Sequence, residues 1–217
     1  MKNYYDEKEK EYYSVYRKDL IEYIPGNLKK VLDVGCSEGV FGAMLKAKFN
    51  ATEVWGIEPF PNSAKEASKK LDKVFDLPVE SAIECLDGEQ FDCIFFNDVL
   101  EHLIDPYSIL LKIKKNLSTT GCVFASIPNV LEMENLYKII RSRDWKYGTQ
   151  GIMDKTHLRF FSRTSIIRMF KEAGFEIQVI KGINPIISRK FRISKFFLGK
   201  IMEDFKYVQF VVVAKIL

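Results

Sequence analysis

Two acidic side chains and a turn of small residues carry the densest chemistry in the chain. Asp33 lies in a short apolar run, Val31-Leu32-Asp33-Val34, that leads into Gly35-Cys36-Ser37-Glu38-Gly39, while Glu58 closes a second apolar run about two dozen residues on. Small residues let backbone approach a ligand, and a helix that starts after such a turn aims N–H groups at an anionic group. An acid at the end of the second strand can accept both hydroxyls of an adenosine ribose. A glycine-rich turn taken alone also serves as a plain strand-to-helix connection. Dinucleotide sites prefer G-x-G-x-x-G, which this segment lacks. Asp33 ahead of the turn suits a ligand with an ammonium group better than one with a pyrophosphate. Acid–base chemistry has few candidates, since the chain contains two histidines, His102 and His157.

The surrounding pattern supplies elements to position these groups. Strand signals at Val31–Val34, Glu53–Ile57, Val74–Phe75, Phe91–Phe96, Cys122–Ile127, Phe175–Ile180 and Tyr207–Lys215 alternate with amphipathic stretches. Helices are expected after Gly39, over Ser63–Leu71, through Leu111–Leu117, and over Thr164–Ala173 with Gly174 as C-cap. Tyr4–Tyr23, with aromatic and aliphatic residues at roughly helical spacing, predicts one or two helices ending at Pro25-Gly26. Repeated strand–helix alternation predicts an α/β fold, Rossmann-like and doubly wound, with a mostly parallel seven-stranded sheet and helices on both faces. Ligands of such sheets sit at the carboxyl ends of the strands, where the strand order switches.

Composition narrows the class. The 217 residues suffice for one domain, and 47% apolar with 29% charged residues is ordinary for a globular protein. No apolar run approaches the roughly 20 residues of a membrane span, and the polar start Met1–Lys10 lacks a signal-peptide pattern. A net charge of +4 is too weak a bias to imply nucleic acid. Cys36, Cys85, Cys93 and Cys122 form no C-x-x-C pair. They read as thiols in a reducing, cytoplasmic setting, and no zinc or other metal is expected.

Val31-Leu32-Asp33-Val34-Gly35-Cys36-Ser37-Glu38-Gly39 resembles the first motif of class I S-adenosylmethionine-dependent methyltransferases. Trp55-Gly56-Ile57-Glu58-Pro59, the run Phe91–Pro106 and Gly121–Asn129 resemble their second-, fourth- and fifth-strand motifs, in the family's order. The resemblance implies S-adenosylmethionine as cofactor and S-adenosylhomocysteine as product. It places Gly35, Cys36 and Gly39 at the methionine moiety, Asp33 at its amine, Glu58 at the ribose, and Pro59 and Phe60 beside adenine. Asn97 and Asp98 face the sulfonium end, and Phe41, Val79, Val99 and His102 complete the cofactor set. Two departures stand out. Ser37 replaces a usual glycine and fits if its φ is negative. The usual adenine-binding Asp is replaced in Asp76-Leu77-Pro78-Val79-Glu80, leaving Asp76, Glu80 or a backbone carbonyl for that role. On this reading residues 1–28 are an N-terminal helical cap and 29–217 the methyltransferase domain, with acceptor-side insertions at about 130–163 and 184–206.

Residues Arg143–Gly148 and Gly151–Ser162, together with Tyr12, Tyr13 and Arg17, resemble a bacterial subgroup often associated with glycan biosynthesis. The favoured acceptor is then a small molecule, a sugar or sugar phosphate, methylated on oxygen. Trp145, Tyr147, Asp154, His157 and Arg159 are its candidate binding residues. His157 acts either as general base or only as a hydrogen-bonding member of its loop, and His102 as base or as support of the cofactor site. Tyr13 and Arg17 form a lid or a packing face. Competing readings are an N- or C-methyltransferase of another metabolite and an inactive scaffold; a nicotinamide dehydrogenase stands further back. The basic, aromatic stretch Ile187–Lys200 is a packed helix with a solvated face or a peripheral contact for a membrane or an anionic acceptor. Oligomeric state is not encoded in these patterns.

Overall fold

The β-branched and aromatic runs do form strands, and every central one is apolar on both faces because helices cover both. The computed structural model describes residues 17–217. Strands β1 (Lys30–Val34), β2 (Glu53–Ile57), β3 (Lys73–Phe75), β4 (Phe91–Asn97), β5 (Leu117–Pro128), β6 (Phe175–Pro185) and β7 (Tyr207–Ile216) form one seven-stranded sheet in the order β3-β2-β1-β4-β5-β7-β6. β1 to β5 pair in parallel, and β7 runs antiparallel between β5 and β6. The period of two along each strand divides the core. Leu32, Val34, Ile94, Phe96, Phe210 and Val212 enter one layer, while Val31, Cys93, Phe95, Val211 and Val213 enter the other.

Helices α1 (Val40–Phe49), α2 (Pro61–Ala67), α3 (Val79–Ala82), α4 (Pro106–Ile113), α5 (Met133–Ser142), α6 (Arg163–Glu172) and α7 (Arg189–Leu198) flank the sheet. Phe41, Met44, Leu45 and Ala67 of α1 and α2 close one layer; Ile109, Leu110, Ile113, Ile166, Met169 and Phe170 of α4 and α6 close the other. Cys93 and Cys122 are buried core residues, as expected.

Several boundaries differ from expectation for local reasons. The described part of the expected N-terminal helix is a 3-10 turn, Lys18–Tyr23, pinned by buried Leu20; Tyr4–Tyr16 lie outside the described residues. α4 stops at Ile113, because Asn116 donates to the carbonyls of Leu86 and Glu89 and redirects the chain into β5. β6 runs to Pro185 because β7 pairs along its whole length. α5 was not expected; Glu132 starts it by accepting from the N–H groups of Glu134 and Asn135. α6 ends at Glu172, with Gly174 at φ +75 as expected.

Candidate active site

The strand order switches between β1 and β4, and a cavity of about 810 Å³ opens at their carboxyl ends. Its floor is the β1–α1 turn. Gly35 N–H and Cys36 N–H both donate to the Ile57 carbonyl, at 2.8 and 3.1 Å, which locks the turn onto β2. Gly35 has φ +70, and a Cβ there would lie 2.6 Å from Val99 Cγ2, so only glycine fits between the turn and the end of β4. Ser37 departs from expectation, with φ +51 rather than a negative value. Its N–H donates to Glu58 Oε2 at 2.9 Å, so the second-strand acid holds the left-handed turn in place.

Glu58 accepts a second backbone bond from Phe60 at 3.1 Å. Burial raises its pKa, opposed by these two backbone donors. Asp33 is 2% exposed, and desolvation together with the Glu58 charge pushes its pKa up to about 8. Asp33 Oδ2 and both polar atoms of the Asn97 side chain are shut off from water and have no hydrogen-bond partner among the described residues. An unsatisfied buried acceptor costs roughly 1–3 kcal/mol, so the site is built for a ligand that donates to it. A cation beside Asp33 and a hydroxyl-bearing ring beside Glu58 are what S-adenosylmethionine presents, and the residues fit it.

Beyond Asn97 the chain turns through Asp98 (φ +56) into a 3-10 turn, Leu100–His102. His102 lines the cavity, and its Nδ1 donates to the Thr156 carbonyl at 3.0 Å, since a carbonyl only accepts. His157 is buried against it, ring centroids 4.7 Å apart, with Nδ1 donating to the Ile152 carbonyl at 2.9 Å. The Glu101 carbonyl accepts from Leu158 N–H and Arg159 N–H, at 2.8 and 3.0 Å, tying this loop to the β4 turn.

A methyltransferase-domain family matches residues 5–179. The chain belongs to that family. The protein is an S-adenosylmethionine-dependent methyltransferase, and S-adenosylhomocysteine is its product. Among similar proteins, the ubiquinone biosynthesis O-methyltransferase of Neisseria meningitidis is 28% identical over 175 residues, 75% of this chain and 72% of that one. That of Photobacterium profundum is 28% identical over 185 residues, 81% and 74% of the two chains. In fold, an S-adenosylmethionine-dependent methyltransferase from Archaeoglobus fulgidus matches with TM-score 0.70, 18% identity and 90% coverage of both chains. Magnesium protoporphyrin IX methyltransferase from Synechocystis, solved with bound S-adenosylhomocysteine, matches with TM-score 0.54 and 16% identity over 89% of this chain and 75% of that one.

Of the residues expected around the cofactor, the methyltransferase gathers Arg17, Asp33, Gly35, Cys36, Ser37, Phe41, Glu58, Pro59, Phe60, Val79, Glu80, Asn97, Asp98, Val99 and His102 in the one cavity. Gly39 serves differently. It starts α1 at φ +75 and lets α1 press on α2, where a Cβ would come 3.0 Å from Ala67 Cα. Tyr13 lies outside the described residues. Asp76 is exposed, whereas Glu80 lines the cavity. Asp98 and Arg17 are bound to each other rather than open to a ligand. Arg17 also reaches Asp19 and Gln209, and Gln209 donates to Asp98 at 2.7 Å. Burial raises the Asp98 pKa, and the Arg17 charge opposes it.

The acceptor candidates are only partly assembled. Asp154 is buried and shapes its loop, accepting from Thr156 N–H and Oγ1 at 2.8 and 2.7 Å. Arg159 donates to the Ile104 carbonyl. Trp145 and Tyr147 pack on Phe160, with centroids 5.2 and 6.2 Å away, and Phe160 in turn lies 6.3 Å from His157. Tyr147 faces a separate hollow of about 690 Å³. Sequence reasoning missed Asp19, Asn184 and Gln209 on the rim of the main cavity; a lone glutamine in the apolar run of β7 was the available signal. It also missed Glu101. Glu101, His102 and His157 each offer one ligand atom, all within 4.8 Å of one another, a cluster that could hold a metal ion although none was expected.

Proposed function

We propose that this methyltransferase acts on a hydroxyl of a small, largely apolar acceptor, with His102 as general base. The observation that carries the reading is the placement of His102 in the cavity wall, its Nδ1 proton committed to the Thr156 carbonyl. That tautomer makes Nε2 the basic nitrogen. Nε2 would take the acceptor O–H proton as that oxygen is held in line with the transferable methyl group. S-adenosylmethionine supplies the electrophilic methyl group. Asp33 holds its ammonium, Glu58 its ribose hydroxyls, and Pro59, Phe60, Val79 and Glu80 its adenine. His157 braces His102 and the loop that receives its proton bond.

Leu103, Ile104 and Leu158 line the acceptor end of the cavity beside His102. An apolar ring with a hydroxyl suits that wall, as in an aromatic quinone precursor, and the names of the similar O-methyltransferases support the same class. A sugar acceptor is favoured instead by the polar rim of Arg17, Asp19, Asn184 and Gln209. A divalent metal at Glu101, His102 and His157, lowering the pKa of a bound hydroxyl, is a further arrangement favoured by their mutual distance. Transfer of isotope-labelled methyl to a panel of catechols, phenols and sugar nucleotides separates these. The base reading expects phenolic product and a His102→Gln variant slowed by about 100-fold or more, with affinity for S-adenosylhomocysteine retained. Full turnover of the variant sinks the base; product on sugars alone overturns the apolar acceptor. Loss of activity with chelator, restored by zinc or manganese, moves the role to a metal.

A further inference from the structure

The segment between β6 and β7 keeps large apolar side chains in water. Phe191 faces inward and packs with Met133, Met202 and Phe205. On the other side of α7, Ile193, Phe196 and Phe197 follow an i, i+3, i+4 spacing and are 53%, 84% and 77% exposed. Leu198 and Ile201, further along the segment, are also exposed, at 53% and 74%. Five such side chains in one short segment are far from the scattered exposed residues of an ordinary surface. The charge around them is mainly basic, with Glu203 and Asp204 the acidic residues of the turn that follows. Residues 186–201 contain five basic residues and no acidic one. Lys190 and Lys195 are paired with Glu134 and Glu203, while Arg189, Arg192 and Lys200 are exposed.

We propose that α7 and the 3-10 turn that follows it dock this methyltransferase on an anionic lipid surface. Apolar side chains that enter the headgroup boundary, flanked by exposed cations, are the two components of interfacial binding. Each Lys or Arg near such a surface adds to the attraction, which salt screens. A protein partner or a second copy would have to offer an acidic rim around an apolar patch. The bilayer presents that combination without specificity. The position of the segment gives docking a use. It leaves β6 just after Asn184 and rejoins β7 just before Gln209, and both of these line the active-site cavity. Docking thus brings the cavity rim to the interface, where an amphiphilic acceptor resides. This last point rests on the apolar-acceptor reading; the docking itself does not.

Co-sedimentation of the full chain with phosphatidylcholine vesicles, with and without phosphatidylglycerol, tests it. The wild type is expected in the pellet only with phosphatidylglycerol, and to return to the supernatant at high salt. A Phe196→Ser/Phe197→Ser variant should lose binding by at least about tenfold, as should Arg189→Gln/Arg192→Gln/Lys200→Gln. Both should keep the affinity for S-adenosylhomocysteine, which shows an intact fold and separates this test from that of the cofactor site. A wild type that stays soluble with anionic vesicles at low salt overturns the proposal. So does a concentration-dependent dimer that the double phenylalanine variant abolishes, since a second copy then covers the patch.

Discussion

At the scale of single residues, Asp33 links pH to folding and to ligand. Its pKa, about 8 against an ordinary 3.8, means the folded protein holds a proton that the unfolded chain gives up. Because the folded value is raised, this contribution to stability is complete below about pH 4 and is lost as the pH climbs through about 8. Thermal unfolding without cofactor should therefore fall more steeply between those limits for the wild type than for Asp33→Asn; parallel profiles would contradict the assignment. Ser37 is the second residue with a prediction. A non-glycine residue at φ +51 costs roughly 1 kcal/mol, so Ser37→Gly should raise Tm by about 2–4 °C in scanning calorimetry. That Asp33, Glu58 and Gly35 would meet in one cavity was legible, because each lies at or just past the carboxyl end of a strand that faces it. The φ of Ser37 was not, since it depends on bonds made only in the fold, from Gly35 and Cys36 to Ile57 and from Ser37 itself to Glu58. Nor was the ranking of the histidines. Residues 102 and 157 are distant in sequence, and only folding brings their rings to 4.7 Å with His102 on the cavity side.

At the scale of elements, the site is held by contacts between strand ends. Arg17 joins the N-terminal turn to β4 through Asp98 and to β7 through Gln209. The pair is partly exposed, so Arg17→Met is expected to destabilise by about 1–3 kcal/mol rather than by the full cost of an orphaned buried charge. Arg17→Met and Asp98→Asn together should cost less than the sum of the two singly, measured by denaturant titration. Strict additivity would show that the pair is not coupled. Gly35 and Val99 make a second joint: Gly35→Ala should weaken cofactor binding through the 2.6 Å clash, and Val99→Ala should restore part of it. Periodicity placed the strands and α6 well, because their apolar patterns are long. It missed α5 and the length of β6. The first is started by the side chain of Glu132, and the second is dictated by its partner β7 rather than by its own residues.

At the scale of the molecule, one sheet with two covered faces places the proposed cofactor cavity along the ends of β1, β2 and β4. The alternation of elements made this topology readable, and the apolar run of β7 announced a strand covered on both sides, though not its antiparallel direction. The acceptor side was far less legible. Trp145 and Tyr147 pack on Phe160 instead of facing the main cavity, and nothing in their spacing reveals which side of the loop they occupy. No helix among the described residues is long and apolar enough to cross a membrane. Because the cofactor binds the folded chain alone, S-adenosylhomocysteine at 100 times its Kd should add about 2.7 kcal/mol of stability, a shift of roughly 5–11 °C in Tm. The most direct test is calorimetric titration of the protein with S-adenosylhomocysteine near pH 7 in two buffers of different ionisation enthalpy. Saturable binding is expected, with release of most of one proton as the ligand ammonium ionises Asp33. Glu58→Ala should bind about 100-fold more weakly or worse. A folded wild type that does not bind, or a Glu58→Ala variant that binds equally well, would contradict the account of the site.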